Sequence, residues 1–195
     1  MSTLRLLALS FVTLVLVGCA HPIVITPELQ SIDRSSVKPI DATVAYYITA
    51  SDREKEVITP GGGGDKVKYY PYKELEPALQ KVLNNLFRSV KRLDNPNDAG
   101  FLQSNDISYV FQPEIITNSN SDSAFTWPPT EFTVDLNCIA IDRSGKTVWQ
   151  KRIAAKGEAS FSEFKSDFSL SAKRATEIAF KQLQTELNAA PEFRR

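Results

Sequence analysis

The residues best suited to chemistry in this chain are its two cysteines and its single histidine. Cys19 directly follows Leu16-Val17-Gly18, and Cys138 lies far along the chain. A deprotonated thiol can be acylated, can attack a carbonyl carbon or can bind a metal. Nucleophilic catalysis needs a neighbouring base, and metal binding needs several ligands. His21 has no such partners nearby in the sequence, so we expect neither kind of site.

Paired carboxylates are the remaining candidates for catalysis, because glycosidases use two of them. Glu54 and Glu56 form one such pair, and Glu74 and Glu76 form another. Both pairs lie in charged segments that we expect to be solvated. We therefore predict no catalytic, cofactor-binding or metal-binding residues, and we expect that the protein is not an enzyme.

The segment before Cys19 has the composition of an export signal. Arg5 gives the N-terminus a positive charge, and an apolar run of twelve residues follows from Leu6 to Val17. A membrane-spanning helix needs about 20 residues, so this run is typical of a signal that is removed on maturation. Its end, Leu16-Val17-Gly18-Cys19, resembles the lipobox of bacterial lipoproteins, in which the cysteine is lipidated. The resemblance implies a signal peptide at 1–18 and a palmitate-bearing Cys19.

The same resemblance implies a position in the cell envelope. Lipoproteins carry several acyl chains on the cysteine, and each buried methylene contributes about 0.8 kcal/mol, so anchoring should be stable. Ala20 stands where an Asp resembles the inner-membrane retention signal of enteric bacteria. Because Ala20 replaces that Asp, the resemblance implies the outer membrane, with the domain in the periplasm. The alternative is an uncleaved membrane anchor with an incidental cysteine.

Composition indicates an ordinary single domain. Removal of residues 1–18 leaves 177 of 195 residues, enough to bury a substantial core. Lys and Arg number 23, as do Asp and Glu, so loss of Arg5 leaves a formal charge of −1 and no footprint for nucleic acid. If lipid occupies the sulfur of Cys19, Cys138 has no disulfide partner. We expect Cys138 to be buried on a strand rather than reactive at the surface.

Residues 19–40 have the composition of an extended tether. Three prolines alternate with Ser, Thr and apolar residues, a pattern that disfavours helix. We expect this segment to hold the domain away from the lipid surface, with His21 as an ordinary linker residue. The single domain is predicted at 41–190, followed by a loose tail at 191–195.

Two long segments have the periodicity of amphipathic helices. Within 73–93, apolar residues recur at spacings of three and four, with Pro77 in the first turn, where its missing N–H costs nothing. A second helix is predicted at 167–189, capped by Asp167 or Ser169. The predicted apolar faces are Leu75, Leu79, Val82, Leu83, Leu86, Phe87 and Val90 in the first helix, and Leu170, Ala175, Ile178, Ala179, Leu183 and Leu187 in the second.

Four segments rich in β-branched and aromatic residues, or with alternating polarity, are predicted to be strands. They are 41–49, 107–117, 131–142 and 146–157. Pro113 cannot donate to a ladder and predicts an edge position or a bulge. In the third strand, Cys138 shares the apolar side, whereas Thr133, Asp135 and Asn137 lie opposite and should meet water or a polar partner. The order of elements predicts an α+β two-layer sandwich, with an antiparallel or mixed sheet of about four strands and both helices on one face.

Two loops could serve as contact sites. Gly61–Gly64 could cradle a phosphate, but Asp65 follows where the Walker pattern needs Lys, so we interpret this stretch as a mobile loop between two elements. Trp127 lies in a polar stretch with Phe125. It could be exposed as a contact residue or could fold back over the core, and the sequence favours neither.

The layout of the whole chain resembles small envelope lipoproteins of the YajG type. The features that match are Leu16–Cys19, Ile23-Val24-Ile25-Thr26-Pro27, the helix 75–93 and the hairpin that leads into the helix 172–187. A weaker similarity is to auxiliary lipoproteins of envelope lipid transporters. The first resemblance implies a non-enzymatic adapter or accessory subunit with an unidentified envelope partner. The second implies a role in lipid transport, and an envelope hydrolase is the third alternative.

Overall fold

A computed structural model of the protein describes residues 20–34, 37–122 and 125–194. The predicted signal peptide and Cys19 lie outside these residues. The helices and strands in chain order are β1 (Ala20–Pro22), β2 (Ile40–Tyr47), α1 (Ala50–Arg53), β3 (Val57–Pro60), β4 (Lys66–Tyr69), α2 (Pro71–Leu86), β5 (Phe87–Leu93), α3 (Ala99–Ser104), β6 (Ile107–Asn120), β7 (Glu131–Asp142), β8 (Thr147–Glu158), α4 (Phe161–Phe164) and α5 (Leu170–Ala189), with 3-10 turns at Leu29–Ser31 and Pro191–Arg194.

The described residues form two sheets. The main sheet has the strand order β5-β2-β6-β7-β8, and a smaller sheet has the order β1-β4-β3. β2 pairs in parallel with β5 and β6, whereas β6, β7 and β8 form an antiparallel meander. The predicted α+β class is therefore confirmed. The main sheet has one strand more than expected, and the sequence did not predict the smaller sheet.

The two long helices, α2 and α5, pack against each other on one face of the main sheet. Phe132, Leu136 and Cys138 of β7 supply the inward side of the sheet and are all 0% exposed. At Gly157 the helix α5 approaches the sheet so closely that a Cβ atom would lie 2.1 Å from Ser171 O and 2.4 Å from Ala175 N. This close packing confirms the predicted two-layer arrangement.

The first predicted helix is wrong at both ends. α2 begins at Pro71, so that Pro77 lies inside the helix rather than in its first turn. α2 ends at Leu86, and Phe87 begins β5 without an intervening loop. Residues 87–93 complete the edge of the sheet beside β2, whose backbone groups need partners. This non-local pairing overrides the helical spacing that continues through Val90.

The second predicted helix is confirmed, with one wrong contact. α5 begins at Leu170, after Ser169, whose N–H donates to Asp167 Oδ1 at 2.9 Å. Ser169 is the N-cap residue, but its side chain caps no helical N–H group. Ile178 was expected on the buried face but is 47% exposed, while Phe180 is 1% exposed. Half of the apolar buried stripe is alanine, which lets the helix lie close to the sheet: Ala172, Ala175, Ala179, Phe180, Leu183 and Leu187.

Strand β6 is longer than predicted and explains how Pro113 fits into a sheet. Its ladder with β2 ends at Phe111, so beyond that residue one side of β6 is an edge. Pro113 lies in this part and pairs only with Cys138 of β7. The N–H group of Ile115, two residues further on, donates to Tyr72 Oη at 3.1 Å. The edge position predicted for Pro113 is therefore confirmed.

The segment interpreted as a tether is extended, but it packs into the domain. Ile23, Ile25 and Ile32 are at most 5% exposed, and they belong to the main core. The Ile25 N–H group donates to Glu74 Oε2 at 2.7 Å, and Thr176 Oγ1 donates to Ile25 O at 2.8 Å. Residues 20–34 thus lie against both α2 and α5, and the interpretation as a free spacer is wrong.

A buried amide pair fixes the end of this segment. Asn85 Nδ2 donates to Ile32 O at 3.1 Å and to Gln184 Oε1 at 2.7 Å. Gln184 Nε2 in turn donates to Asp33 O at 2.6 Å. Ile32 and Asp33 belong to no strand, so their backbone carbonyl groups need other hydrogen-bond donors. The two amide side chains supply these donors.

The C-terminal residues also belong to the core, contrary to the expected loose tail. Phe193 is 3% exposed. Its ring centroid lies 5.1 Å from that of Tyr109 and 5.7 Å from that of Phe87. The aromatic ring therefore closes the core between the sheet and the end of α5.

Candidate functional site

Two surfaces of the domain could meet a partner. The first, which we call the anchor-proximal end after the predicted anchor at Cys19, is the end of the main sheet next to Ala20. It comprises β1, the 61–65 turn, the loop 125–130, Phe161 and Phe168. The second, which we call the open face, is the side of the main sheet opposite α2 and α5. α3 covers part of this face, where Phe101 and Leu102 pack against Ala45, Leu93, Ile107 and Val110.

The anchor-proximal end is organised by the smaller sheet. β1 pairs in parallel with β4, with Ala20 opposite Lys66. Gly61–Gly64 form the turn between β3 and β4, and the N–H of Gly62 donates to Trp127 O at 2.9 Å. A Cβ atom at Gly61 would lie 2.4 Å from that same carbonyl oxygen. The glycines are thus explained by a hairpin turn that holds the Trp127 loop at close range.

An aromatic stack joins β1 to this loop. The rings of His21 and Trp127 are stacked, with centroids 4.4 Å apart and an interplanar angle of 23°. Phe168 packs on Trp127 at 5.0 Å, and His21 Nε2 lies 3.4 Å from Asp65 Oδ2. His21 is therefore a packed residue, and its interpretation as an ordinary linker residue is wrong. Trp127 packs against the core but is only half-buried. It is therefore neither fully exposed as a contact residue nor fully folded into the core, the two alternatives that the sequence left open.

Three exposed phenylalanines lie at the same end of the sheet as this stack. Phe125 is 97% exposed, Phe161 is 56% exposed and Phe168 is 48% exposed. β6 ends, β7 begins, β8 ends and α5 begins at this end of the sheet, which brings these distant residues together. Lys165 Nζ lies 5.1 Å from the centroid of the Phe161 ring. Exposed aromatic side chains in such a group are typical of a contact surface.

Where β6, β7 and β8 form the open face, its side chains are polar and bonded to one another. Arg152 Nε donates to both carboxylate oxygens of Asp135, at 2.8 and 2.9 Å, and these bonds lower the pKa of Asp135. Gln150 Nε2 donates to Asn137 Oδ1 at 3.0 Å, and Asn137 Nδ2 to Glu114 Oε2 at 3.3 Å. These residues line a shallow groove of about 480 Å³. The predicted alternation of β7 is confirmed.

The Glu74 and Glu76 pair is half-buried and hydrogen-bonded rather than fully solvated, contrary to expectation. Glu74 binds the N–H of Ile25, as described above. Glu76 accepts hydrogen bonds from Tyr46 Oη at 2.9 Å and from Arg53 Nε at 2.8 Å. Burial alone would raise the pKa of Glu76, but the hydrogen bonds from Arg53 and Tyr46 outweigh it and lower the pKa.

The same cluster also alters Tyr46. Burial and then the hydrogen bond to Glu76 raise the pKa of Tyr46 to about 12. An ionised Glu76 held by Arg53 and a protonated Tyr46 form a fixed cross-link between β2, α1 and α2. Such a cross-link stabilises the fold and leaves neither group poised for proton transfer at neutral pH.

Cys138 is the one cysteine among the described residues, and it is buried as predicted. Its burial raises the pKa of the thiol to about 12. The thiolate needed for nucleophilic attack is therefore scarce near neutral pH. In the described part of the chain, no group of three or more His, Cys, Asp and Glu residues could hold a metal ion.

The comparisons with known proteins identify no family for this chain. No family model matches it, and no curated protein matches it. A solved Xanthomonas campestris protein of the DUF330 family is similar at 13% identity, with 87% of this chain and 92% of that chain covered and a TM-score of 0.46. The PelC dodecamer from Paraburkholderia phytofirmans is similar at 13% identity, with 79% and 92% covered and a TM-score of 0.48.

A candidate lipoprotein from Caulobacter crescentus is similar at 11% identity, with 74% of this chain and 87% of that chain covered and a TM-score of 0.38. At these levels of similarity, the solved structures assign neither a family nor a function to this chain. The resemblance to YajG-type lipoproteins stays a prediction. No helix in the described ranges is long and apolar enough to cross a membrane.

Proposed function

We propose that this protein is a lipoprotein anchored through Cys19 in the outer membrane, where its periplasmic domain acts as a non-enzymatic adapter or accessory subunit of an envelope assembly. The observation that carries the proposal is Leu16-Val17-Gly18-Cys19 at the end of a twelve-residue apolar run. β1, the first strand of the described residues, starts at Ala20, directly after this motif in the sequence. A cysteine at that junction is well placed to carry the anchor of the whole domain.

The chemistry of the described residues supports an adapter rather than an enzyme. The Asp135 carboxylate in the groove of the open face is paired with Arg152, and its pKa is lowered. A glycosidase needs one carboxyl group with a raised pKa as general acid. The groove therefore offers an ion-paired surface that can bind a polar partner.

The packing of the two layers counts against the alternative of a lipid-binding transporter subunit. Such a role would need an apolar groove between the sheet and the helices. Leu79, Leu83 and Leu136 lie between these layers and are at most 1% exposed. The interior is thus filled by the protein's own side chains, and the adapter is the proposal we retain.

Replacement of Cys19 tests the anchor. Cells are fed an alkyne analogue of palmitate, and membrane and soluble fractions are compared for the full chain, Cys19→Ala and the matched control Cys138→Ala. We expect Cys19→Ala to lose the label and to leave the membrane fraction, while Cys138→Ala keeps both. Membrane association and labelling that survive Cys19→Ala would overturn the proposal.

The adapter role is tested by site-specific crosslinking in intact cells. A photoreactive side chain is placed at Asn137 on the open face or, as a control, at Ile178 on the outer side of α5. A discrete crosslinked species at Asn137 that is absent at Ile178 is the expected result. Crosslinks at neither position would contradict a stable partner on the open face.

A further inference from the structure

We propose that the anchor-proximal end docks directly on the lipid bilayer, with Phe125, Phe161 and Trp127 at the membrane–water interface beside the acyl chains of Cys19. This inference rests on the proposed lipidation of Cys19, and it adds a protein surface to the anchor. It also fixes the orientation of the domain, because the docked end defines which side of the molecule faces the periplasm.

The first step concerns distance. A single peptide link joins Cys19 to Ala20, and one extended residue spans at most about 3.6 Å. Ala20 is already part of β1, paired with Lys66 of β4. Acyl chains on Cys19 must enter the hydrocarbon layer, so the first residue of the folded domain is held within a few ångströms of the headgroups.

The second step concerns the strength of this attachment. The domain could move away from the membrane only if residues 20–34 peeled off its surface. That would expose Ile23 and Ile25, which are 5% and 0% exposed. It would also break the bonds from Ile25 to Glu74 and Thr176 described above. The cost of exposing both apolar side chains keeps the segment folded and the anchor short.

The third step concerns the side chains that this geometry brings to the bilayer. Aromatic residues, above all Trp and Tyr, are enriched at membrane–water interfaces, where one part of the ring system is apolar and another is polar. Trp127 lies at this end together with the exposed Phe125 and Phe161. Ile58 on β3, beside the glycine turn, is 53% exposed and adds to the apolar surface.

The charges at this end identify the kind of attraction. Arg174 pairs with Glu163, Lys173 pairs with Asp167, and Lys66 follows Asp65 in the chain, so the described part of this end mixes both signs of charge and forms no polybasic patch. Polybasic segments bind anionic lipid, and salt screens that attraction. Docking by exposed aromatic side chains should instead occur on zwitterionic lipid and should be insensitive to salt.

The two tryptophans of the chain provide an internal test. Trp127 lies at the anchor-proximal end, whereas Trp149 lies near the start of β8, at the far end of the sheet. At about 3.3 Å per residue, Trp149 is roughly 30 Å from the end of β8 that lies at the anchor-proximal end. The mature lipidated protein is reconstituted in phosphatidylcholine vesicles that contain a lipid with a spin label at the top of one acyl chain. Trp149→Phe leaves Trp127 as the sole emitter, and Trp127→Phe leaves Trp149. We expect quenching of Trp127 to be several-fold stronger than quenching of Trp149, at low and at high salt.

A pair of double variants identifies the docking residues. In the Trp149→Phe background, Phe125→Ser with Phe161→Ser should reduce the quenching of Trp127 several-fold. The control is Ile116→Ser with Ile178→Ser, which removes exposed apolar side chains elsewhere, 58% and 47% exposed. This control should leave the quenching unchanged. Circular dichroism of each variant confirms that the domain remains folded.

Labelling with the palmitate analogue separates the two proposals. If every variant is labelled but Trp127 is quenched as weakly as Trp149, the docking inference is overturned and the lipoprotein proposal stands. If the protein is not labelled, both fail. Crosslinked pairs of copies joined at the anchor-proximal end, with Trp127 shielded from the lipid quencher, would show that a second copy covers this surface and would also overturn the inference.

Discussion

The two ends of the main sheet differ in chemistry, although the same three antiparallel strands build both. At the far end, β7 and β8 join through the turn of Asp142–Lys146. Asp142 Oδ1 accepts the N–H groups of Ser144 at 2.8 Å and of Lys146 at 3.1 Å, and the bond from the Ser144 hydroxyl lowers the pKa of Asp142. Arg143 is paired with Asp106. The far end is thus closed by charged groups that suit water.

At the anchor-proximal end, ion pairs of Lys156 with Glu131 and Glu158 are accompanied by exposed aromatic side chains. Phe125 and Phe161 are exposed, and Trp127 is stacked on His21 rather than bonded to a charged group. Exposed aromatic side chains are therefore not needed to end these strands, because polar and charged residues end them at the far end. The contrast is what the proposed docking of one end on lipid requires, and four predictions test the packing on which it depends.

The largest effect is expected for a glycine near the anchor-proximal end. In Gly157→Ala the new Cβ meets backbone atoms of α5 that cannot rotate away, so we expect a loss of at least about 3 kcal/mol of unfolding free energy. Gly145→Ala at the far end meets no atom within 4 Å but requires a left-handed φ of +82°, so it should cost about 1–2 kcal/mol. Urea melts of both variants measure the difference. Equal losses would mean that α5 is not held as tightly near this end as the structure indicates.

The next effect concerns the buried amides that fix residues 20–34. Asn85→Ala leaves Ile32 O and Gln184 Oε1 without this donor, and such buried groups cost about 1–3 kcal/mol. Hydrogen exchange should rise in residues 23–34 more than in β7. Exposed Gln80→Ala on the same helix is the control and should change stability by at most about 0.5 kcal/mol. Unchanged exchange at 23–34 in Asn85→Ala would contradict the packed N-terminal segment.

A smaller effect is expected from Glu76, and it depends on pH. The folded pKa of Glu76 lies below its ordinary value of 4.5, so its contribution is present above that value and is lost as pH falls through the folded pKa. Glu76→Gln should therefore be less stable than the parent near neutral pH, and the gap should narrow as the solution is acidified. Melts over this pH range measure the gap. A gap that widens in acid would reverse the assigned direction of the shift.

The last prediction concerns the reactivity of Cys138 and involves no change in stability. It is tested by maleimide labelling of the mature Cys19→Ala protein, in which Cys138 is the one cysteine. A maleimide should react slowly with the folded protein, because the thiol is 0% exposed and its pKa is raised. It should react rapidly after denaturation in urea. Fast labelling of the folded form would mean that β7 is shifted by one residue, which would turn its apolar side chains outward.

Local patterns determined much of the fold. β7 alternates cleanly, so the sequence identified its inward side and the burial of Cys138 correctly. Most of the apolar stripe of α5 was also predictable from its spacing, because one side of a helix must meet the core. The apolar run that ends in Cys19 likewise depends on the order of a few residues, and it is the basis of the proposed anchor.

Tertiary structure decided the rest, because those features depend on partners that are distant in the chain. Residues 87–93 are a strand because β2 offers an open edge, and their own spacing continues that of α2. Residues 20–34 look like a linker until Glu74 and Thr176 supply their hydrogen bonds. Phe161 is distant in the sequence from Phe125 and Trp127, and only the shared end of β6, β7 and β8 brings them to the same end of the sheet as Ala20. Short segments without internal hydrogen bonds take their structure from what they pair with, and the sequence alone does not state that pairing.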